Sequence, residues 1–370
     1  PEWMTPLLKL FFVISYILLA AWVGIFADLM PKGRVMFITN AVKVVGCLMM
    51  LFGSHPLLAY AVVGIGAAAY SPAKYGILTE LLPAEKLVIA NGWIGWLTDA
   101  FHLTALGVTN HAEAAIALIV FVYAAAALVN LAIPDTGARY PHLSFEPLKS
   151  IHNFIGSCGL LWKDALGQIS LSVTTLFWGA GAVLQFLVLK WADHALAMNL
   201  SQAAVLQAVV SVGIALGAVL AAATVPLKKS LNVLPMGVIM GLLVTSMSYF
   251  EASMVPGELV VGPFAIRWAV VLACFMMILV GVCAGYFVVP MNALLQHRGH
   301  VLMSAGRSIA VQNFNENSSI LVMLGILSVP LTMTLFGLFV SVSMCLVILR
   351  HRHNQTRCDS LHLIGEEKRH

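Results

Sequence analysis

GIFADLMPKGRV, residues 24–35, separates two long apolar runs, and its reading decides how the chain folds. The run before it, 6–27, carries one charge, Lys9; the run after it, 33–52, carries Arg34 and Lys43. Each reaches the roughly 20 residues an α-helix needs to cross about 30 Å of hydrocarbon. Between them lies a short charged turn. Gly24 can let a neighbouring helix approach, Asp28 can accept from helix N-terminal amides or pair with Arg34, and Gly33 positions the basic pair Lys32 and Arg34.

The same alternation runs outward through all 370 residues, of which 60% are hydrophobic and 10% charged, with mean hydropathy +0.93. Soluble domains are roughly 45–50% apolar and about 25% charged. This chain has too little polar surface for a water-facing particle, which excludes cytosolic enzymes, nucleic-acid readers and disordered hubs. Further apolar runs at 56–78, 112–133, 166–191, 202–225, 231–250, 265–289, 305–329 and 330–349 bring the strong candidates to ten. Residues 91–110, burdened by Asp99 and His102, make a weaker eleventh. If that segment crosses, fourteen of the twenty cations fall in loops or tails on one side: Lys32, Arg34, Lys86, Arg139, Lys149, Lys163, Lys228, Lys229, Arg298, Arg350, Arg352, Arg357, Lys368 and Arg369. The opposite loops are almost empty, with Lys9 and Arg267 near helix ends, so the basic side is cytoplasmic and holds the C-terminus.

An odd number of spans without a signal-cleavage pattern leads us to expect a preceding helix outside this sequence. The expected organisation is then all-α and multi-pass, a two-bundle 6+6 fold. Residues 1–133 form a first bundle lacking its first helix, 134–165 a cytoplasmic linker, 166–350 a second bundle and 351–370 a polar tail. In the linker, 145–166 mixes apolar residues with Lys149, His152, Lys163 and Asp164, as an interfacial amphipathic helix does. Trp3, Trp93, Trp96, Trp162, Trp191 and Trp268 stand near helix ends, where an interfacial aromatic belt would lie.

Several intramembrane polar groups invite a functional reading. GIGAAAYSPAKYGIL, residues 64–78, places Tyr70, Pro72 and Lys74 together. Pro72 removes a backbone donor and loosens its helix. A lysine at mid-bilayer costs about 2.5–3.5 kcal/mol even on the lenient insertion scale. Lys74 therefore needs a buried carboxylate or a polar cavity that binds substrate. Lys43 also lies within its helix rather than at an end, and a packed ion pair is its expected setting. In the second half, Trp178 lies in FWGAG and Gln185 two turns further on; Lys190, near a helix end, can snorkel. The run 312–319 holds Gln312, Asn313, Asn315, Glu316 and Asn317, with Gln312 and Glu316 on one face at i, i+4. Glu316 could bind an amine, carry a proton or pair with a lysine. Tyr70, Pro72 and the stretch 87–92 find weak counterparts in Tyr286, Pro290 and the stretch 302–306, as in transporters built from two related halves. The glycine pairs 213/217, 237/241 and 281/285 read as packing.

The spacing of GIFADLMPKGRV resembles the loop between the second and third helices of the major facilitator superfamily. AAAYSPAKYGIL (67–78), FWGAGAVLQF (177–186), GYFVVPMNALLQ (285–296) and AVQNFNEN (310–317) together resemble its bacterial lysophospholipid transporter branch, over nearly the whole chain. Some relatives in that branch carry arginine where Gln185 stands. The resemblance implies inward flipping of lysophospholipids across the bacterial inner membrane by alternating access, followed by reacylation by an acyltransferase/acyl-carrier-protein synthetase partner. It implies no cofactor, no metal and no catalysis; GxxxxGK[ST], HxxxxD and GxSxG patterns are absent from the sequence. Expected substrate contacts are Lys74, Tyr70, Trp178, Gln185, Asn292, Gln312, Asn313 and Glu316. Expected conformational residues are Asp28, Lys32, Arg34, Pro72 and Pro290.

Overall fold

A computed structural model describes residues 4–94, 112–137, 140, 146–261, 264–326 and 333–355. The long helices are α1 (Met4–Leu29), α2 (Lys32–Leu51), α3 (Pro56–Leu81), α4 (Ala112–Asn130), α5 (Pro147–Lys163), α6 (Ala165–Leu196), α7 (Leu200–Thr224), α8 (Leu234–Met247), α9 (Trp268–Leu302), α10 (Ala305–Ile326) and α11 (Met333–Gln355). Their ends follow local chemistry. Pro31, with φ −51°, closes α1, and its carbonyl accepts from the amides of Arg34 and Val35 to start α2. His55 Nδ1 accepts from the Leu57 amide ahead of α3, which has Pro56 in its first turn. Asn199 and Gln202 form a reciprocal capping box at the start of α7.

Among the described residues nine helical segments are long and apolar enough to span a bilayer. The 22-residue α10 has the length but not the hydropathy, because its middle is the polar run from Gln312 to Ser319. Residues 87–94 are helical, and the rest of the expected 91–110 span lies outside the described residues.

Three expectations need correction. Residues 265–267 are not helical: Phe264–Arg267 (β2) pairs antiparallel with Glu258–Val261 (β1), and α9 begins at Trp268. Short β-branched and aromatic stretches on either side of Gly262–Pro263 favour a hairpin over a helix start. The last helix continues to Gln355, into the segment expected to be a polar tail, and buries His351. Trp191 is not a belt residue; it is 7% exposed, packs against Phe250 and donates its indole N–H to the Met247 carbonyl at 2.8 Å. Trp191→Phe should remove that bond and leave the carbonyl only the Phe250 amide at 3.1 Å, at a cost of about 1 kcal/mol. The thermal midpoint of the detergent-solubilised protein should fall by a few degrees, whereas an unchanged midpoint would show that the bond contributes nothing.

The described residues fall into two compact units. One is drawn from Pro1–Leu87, Gly107–Gly179 and Leu294–Val322, the other from Val88–Leu106, Ala180–Ala293 and Met323–His370. This division by packing runs through α6, α9 and α10. In the first unit α3 packs on α1 and α2, and α2 on α4. Ala27, Val35, Met36, Ala73 and Ile77 form one core there; Leu161, Leu171, Leu295 and Val311 form another. The linker helix α5 lays Ser150 and Ser157 inward and leaves Leu148, Ile151, Ile155 and Leu160 exposed, an outward apolar stripe at helical spacing. In the second unit the glycine pairs act as read from the sequence: a Cβ at Gly217 or Gly285 would meet the facing backbone of α9 or α7.

Candidate functional site

The first unit holds the charged turn. Asp28 Oδ1 accepts from Lys32 Nζ at 2.6 Å and from the Gly306 amide at 3.0 Å. The carboxylate thus meets the first free amides of α10, where the helix dipole favours negative charge. Of the two expected partners, the helix N-terminal amide is present and Arg34 is not: Arg34 is exposed, and Lys32 supplies the cation. Lys32 opens α2 directly after the Pro31 turn and its buried ammonium reaches back to Asp28 at the end of α1, whereas Arg34, two positions further round α2, turns outward. Lys32 Nζ also donates to the Ala27 carbonyl at 2.9 Å and lies 3.2 Å from Glu80 Oε1 at the end of α3.

Glu80 gathers the start of the linker. Tyr140 donates to its Oε1 at 3.1 Å and Thr136 to its Oε2 at 2.8 Å. Burial, reinforced by the Glu80 and Asp28 carboxylates, pushes the Tyr140 phenol well above its ordinary pKa, so it stays a donor. A cavity of about 100 Å³ lined by Asp28, Lys32, Glu80, Asp135 and Thr136 opens beside the network, large enough to admit water. Sequence reasoning missed Glu80; its signal is a lone carboxylate at the end of an apolar helix on the basic side of the chain.

Two glycines make this junction possible. A Cβ on Gly306 would stand 2.5 Å from the Gly24 carbonyl oxygen and 2.6 Å from Asp28 Oδ1. One on Gly24 would stand 2.9 Å from the Gly306 carbonyl oxygen. The backbones of α1 and α10 therefore touch, and the amide of Gly306 can reach Asp28.

A second ion pair, also missed, fixes the start of α6. Arg298 grips Asp164 with Nη2–Oδ1 at 2.5 Å and Nε–Oδ2 at 3.1 Å, while Asp164 Oδ2 accepts from the Gly167 amide at 2.7 Å. Asp164 is the N-cap of α6; an aspartate just before an apolar run is the signal that could have found it.

Deeper in the first unit α3 and α10 meet through polar groups. Asn313 Nδ2 donates to Ser71 Oγ at 2.9 Å, one residue before the buried Pro72 inside α3. Gln312 Nε2 donates to Glu316 Oε1 at 2.8 Å, as the i, i+4 spacing implies, and the Glu316 residue is 7% exposed. Glu316 has no lysine in ion-pair contact among the described residues. Lys74 is half-buried, 5.0 Å from the Tyr75 ring centroid. Lys43 is not in the expected ion pair: its ammonium lies 3.7 Å from the Tyr70 ring centroid, 5.2 Å from that of Tyr123 and 3.1 Å from Asn40 Oδ1. Trp178, 44% exposed, meets Phe177 edge to face. The first unit thus holds Lys74, Tyr70 and Pro72 on α3 and Gln312, Asn313 and Glu316 on α10, the two helices meeting at Asn313 and Ser71, with Asp28 and Lys32 at the turn.

Gln185, Asn292 and Pro290 belong to the second unit. The Gln185 side chain is exposed and its carbonyl accepts from Gln207 Nε2 at 2.9 Å. Asn292 is half-buried on α9, two residues past the internal Pro290.

No family model matches the chain. Whole-chain relatives are decisive. The chain is 42% identical over 334 residues to the lysophospholipid transporter LplT of Serratia proteamaculans (strain 568), covering 89% of this chain and 80% of that protein. It is 42% identical over 335 residues to LplT of Yersinia enterocolitica, with 89% and 79% covered. The chain belongs to the lysophospholipid transporter family. Solved structures agree on the fold. The human organic anion transporter MFSD10 superposes with TM-score 0.73 at 12% identity, covering 93% of this chain and 82% of that one. The major facilitator superfamily transporter FucP superposes with TM-score 0.67 at 10% identity, covering 95% and 89%. The lysophospholipid transporter chain is therefore an all-α, multi-pass protein of the major facilitator fold, as its turn at 24–35 implied.

Proposed function

We propose that this chain is a lysophospholipid flippase, working by alternating access between two helical bundles, 1–133 and 166–350, joined by the linker 134–165. The observation that carries it is the 42% identity to LplT along 89% of the chain. The chemistry of the first unit suits that cargo. A lysophospholipid has one acyl chain, a phosphate and often an ammonium, so its carrier needs a shielded polar site with apolar access. Lys74 binds the phosphate, while Glu316, Gln312 and Asn313 orient the remaining polar atoms of the head group, and the acyl chain stays among apolar helices. Tyr70 and Trp178 complete the contacts of this unit; Gln185 and Asn292 are the contacts proposed for the second unit by itself, and Pro72 and Pro290 let their helices bend. Movement runs from the outer to the inner leaflet of the bacterial inner membrane, with the C-terminus cytoplasmic, and a downstream acyltransferase/acyl-carrier-protein synthetase reacylates the product. The protein itself catalyses no covalent step.

Lys74→Ala should weaken binding of labelled lysolipid by about tenfold or more, the loss of a charge-assisted contact in a site of low dielectric. Equal binding by wild type and variant would remove Lys74 from the site. Counterflow separates this reading from export of amphipathic drugs: preloaded lysolipid should accelerate uptake of labelled lysolipid, and a cationic dye should not. A dye that exchanges better than lysolipid would overturn the assignment.

A further inference from the structure

The buried cations of the first unit are not alike. Lys32 is paired with Asp28 and Glu80, and Arg298 with Asp164. Lys43 and Lys74 meet no carboxylate at ion-pair distance among the described residues, although Lys43 is only 6% exposed. What surrounds Lys43 is one amide oxygen and two ring faces, those of Tyr70 and Tyr123. Ring faces and an amide oxygen attract an ammonium but leave its charge uncancelled. Lys74 stands one turn past Tyr70 on α3, at i, i+4 from the ring that covers Lys43, so a second ammonium belongs to the same stretch of that helix.

A second observation has the same sign. Asn40, 2% exposed, gives its oxygen to Lys43 and keeps a buried Nδ2 donor with no acceptor. Two ammonium groups and an unused amide donor form a site rich in donors and short of acceptors. Buried donors left unmatched are costly, so the missing component is an acceptor bearing negative charge. The stem of Lys43 reaches the pair through Gly66 of α3, where a Cβ would come within 2.8 Å of Lys43 Cγ.

We propose that Lys43 is a second cationic ligand for the lipid phosphate, forming with Lys74 and Asn40 a two-lysine anion subsite between α2 and α3, with the Tyr70 ring covering Lys43 when no anion is bound. The proposal rests on the lysophospholipid reading above. It assigns the subsite to phosphate oxygens rather than to the acyl chain or the ammonium, so a phosphomonoester should bind better than a phosphodiester of equal chain length.

The test uses the full chain in detergent, with labelled lysophosphatidic acid as the anionic probe and monoacylglycerol of the same chain as the phosphate-free one. Lys43→Met should weaken lysophosphatidic acid binding by about tenfold or more and leave monoacylglycerol binding unchanged, while Lys43→Arg retains most of the affinity. Equal affinity in Lys43→Met and wild type, or equal losses for both probes, would overturn the subsite. Should Lys43→Met fail to fold, the wild type still decides: lysophosphatidic acid should raise its thermal midpoint more than monoacylglycerol does at matched concentration, and equal shifts would overturn the proposal. Wild type that binds lysophosphatidic acid yet moves no lysolipid would remove the carrier and keep the subsite. Wild-type flux with Lys43→Met binding unchanged would do the reverse.

Discussion

Asp28→Ala should lower the maximal rate of lysolipid flux by about a hundredfold, with lysolipid affinity changed by less than about twofold, because it removes one partner from a buried pair worth roughly 3–5 kcal/mol to break. Its Oδ1 serves both the Lys32 ammonium and the Gly306 amide. Without it Lys32 keeps Glu80, the Ala27 carbonyl and the Tyr140 ring face, and the N-terminus of α10 loses its cap. The conformation in which α1 and α10 touch then loses stability relative to the others, and a carrier that must visit every state slows. No substrate contact is touched, so binding holds. Asp28→Asn separates the two roles: an amide oxygen can still accept from Gly306 but cannot neutralise Lys32, so its rate should lie between wild type and Asp28→Ala. Flux at saturating and limiting lysolipid measures the split. A loss confined to affinity would place Asp28 in the binding site and contradict this account.

Gly306→Val should be nearly as damaging. Its first added carbon would sit 2.5 Å from the Gly24 carbonyl oxygen and 2.6 Å from Asp28 Oδ1, and a backbone oxygen cannot swing aside as a flexible side chain can. Overpacking of this kind costs about 1–3 kcal/mol, paid only in the conformation that brings α1 and α10 together. Flux should fall by about tenfold or more with lysolipid binding retained. Gly156→Val is the control, since its added carbon meets nothing within 4 Å. Equal rates for Gly306→Val and wild type would show that the α1–α10 contact is not part of the transport cycle.

What the sequence discloses and what it hides divides along range. The turn at 24–35 is legible because its chemistry is local: Pro31 ends one helix, Gly24 permits an approach, and Asp28 needs donors within a few residues or at a helix start. Which donor it takes is less local. Lys32 and Arg34 are both near in sequence, and only the phase of α2 decides that Lys32 turns inward. The Gly306 amide comes from 278 residues away, and no pattern near Asp28 announces it. Glu80 stayed hidden for the same reason, since its partners Lys32, Thr136 and Tyr140 arrive from two other segments.

The polar helix α10 was readable from spacing alone, because Gln312 and Glu316 share a face at i, i+4 and do bond. Its contact with Ser71 was not, being set by how α3 and α10 pack. Lys43 marks a limit of a different kind. Burial of a lysine suggests a carboxylate, but a tyrosine face can shelter an ammonium without one, and aromatic residues are too common in apolar helices to signal that role. Residues 265–267 of the hairpin read as the start of a span because Ala265 and Ile266 raise hydropathy as effectively in a strand as in a helix.

Leaflet-resolved movement of a labelled lysolipid in proteoliposomes, followed with and without sodium and proton gradients, bears most directly on the reading of this chain as a lysolipid carrier. Wild type should move label between leaflets much faster than protein-free vesicles, and Lys74→Ala should reduce that movement to near the protein-free rate. Movement by wild type no faster than in empty vesicles under any gradient, in protein that is folded and binds the label, would contradict the account.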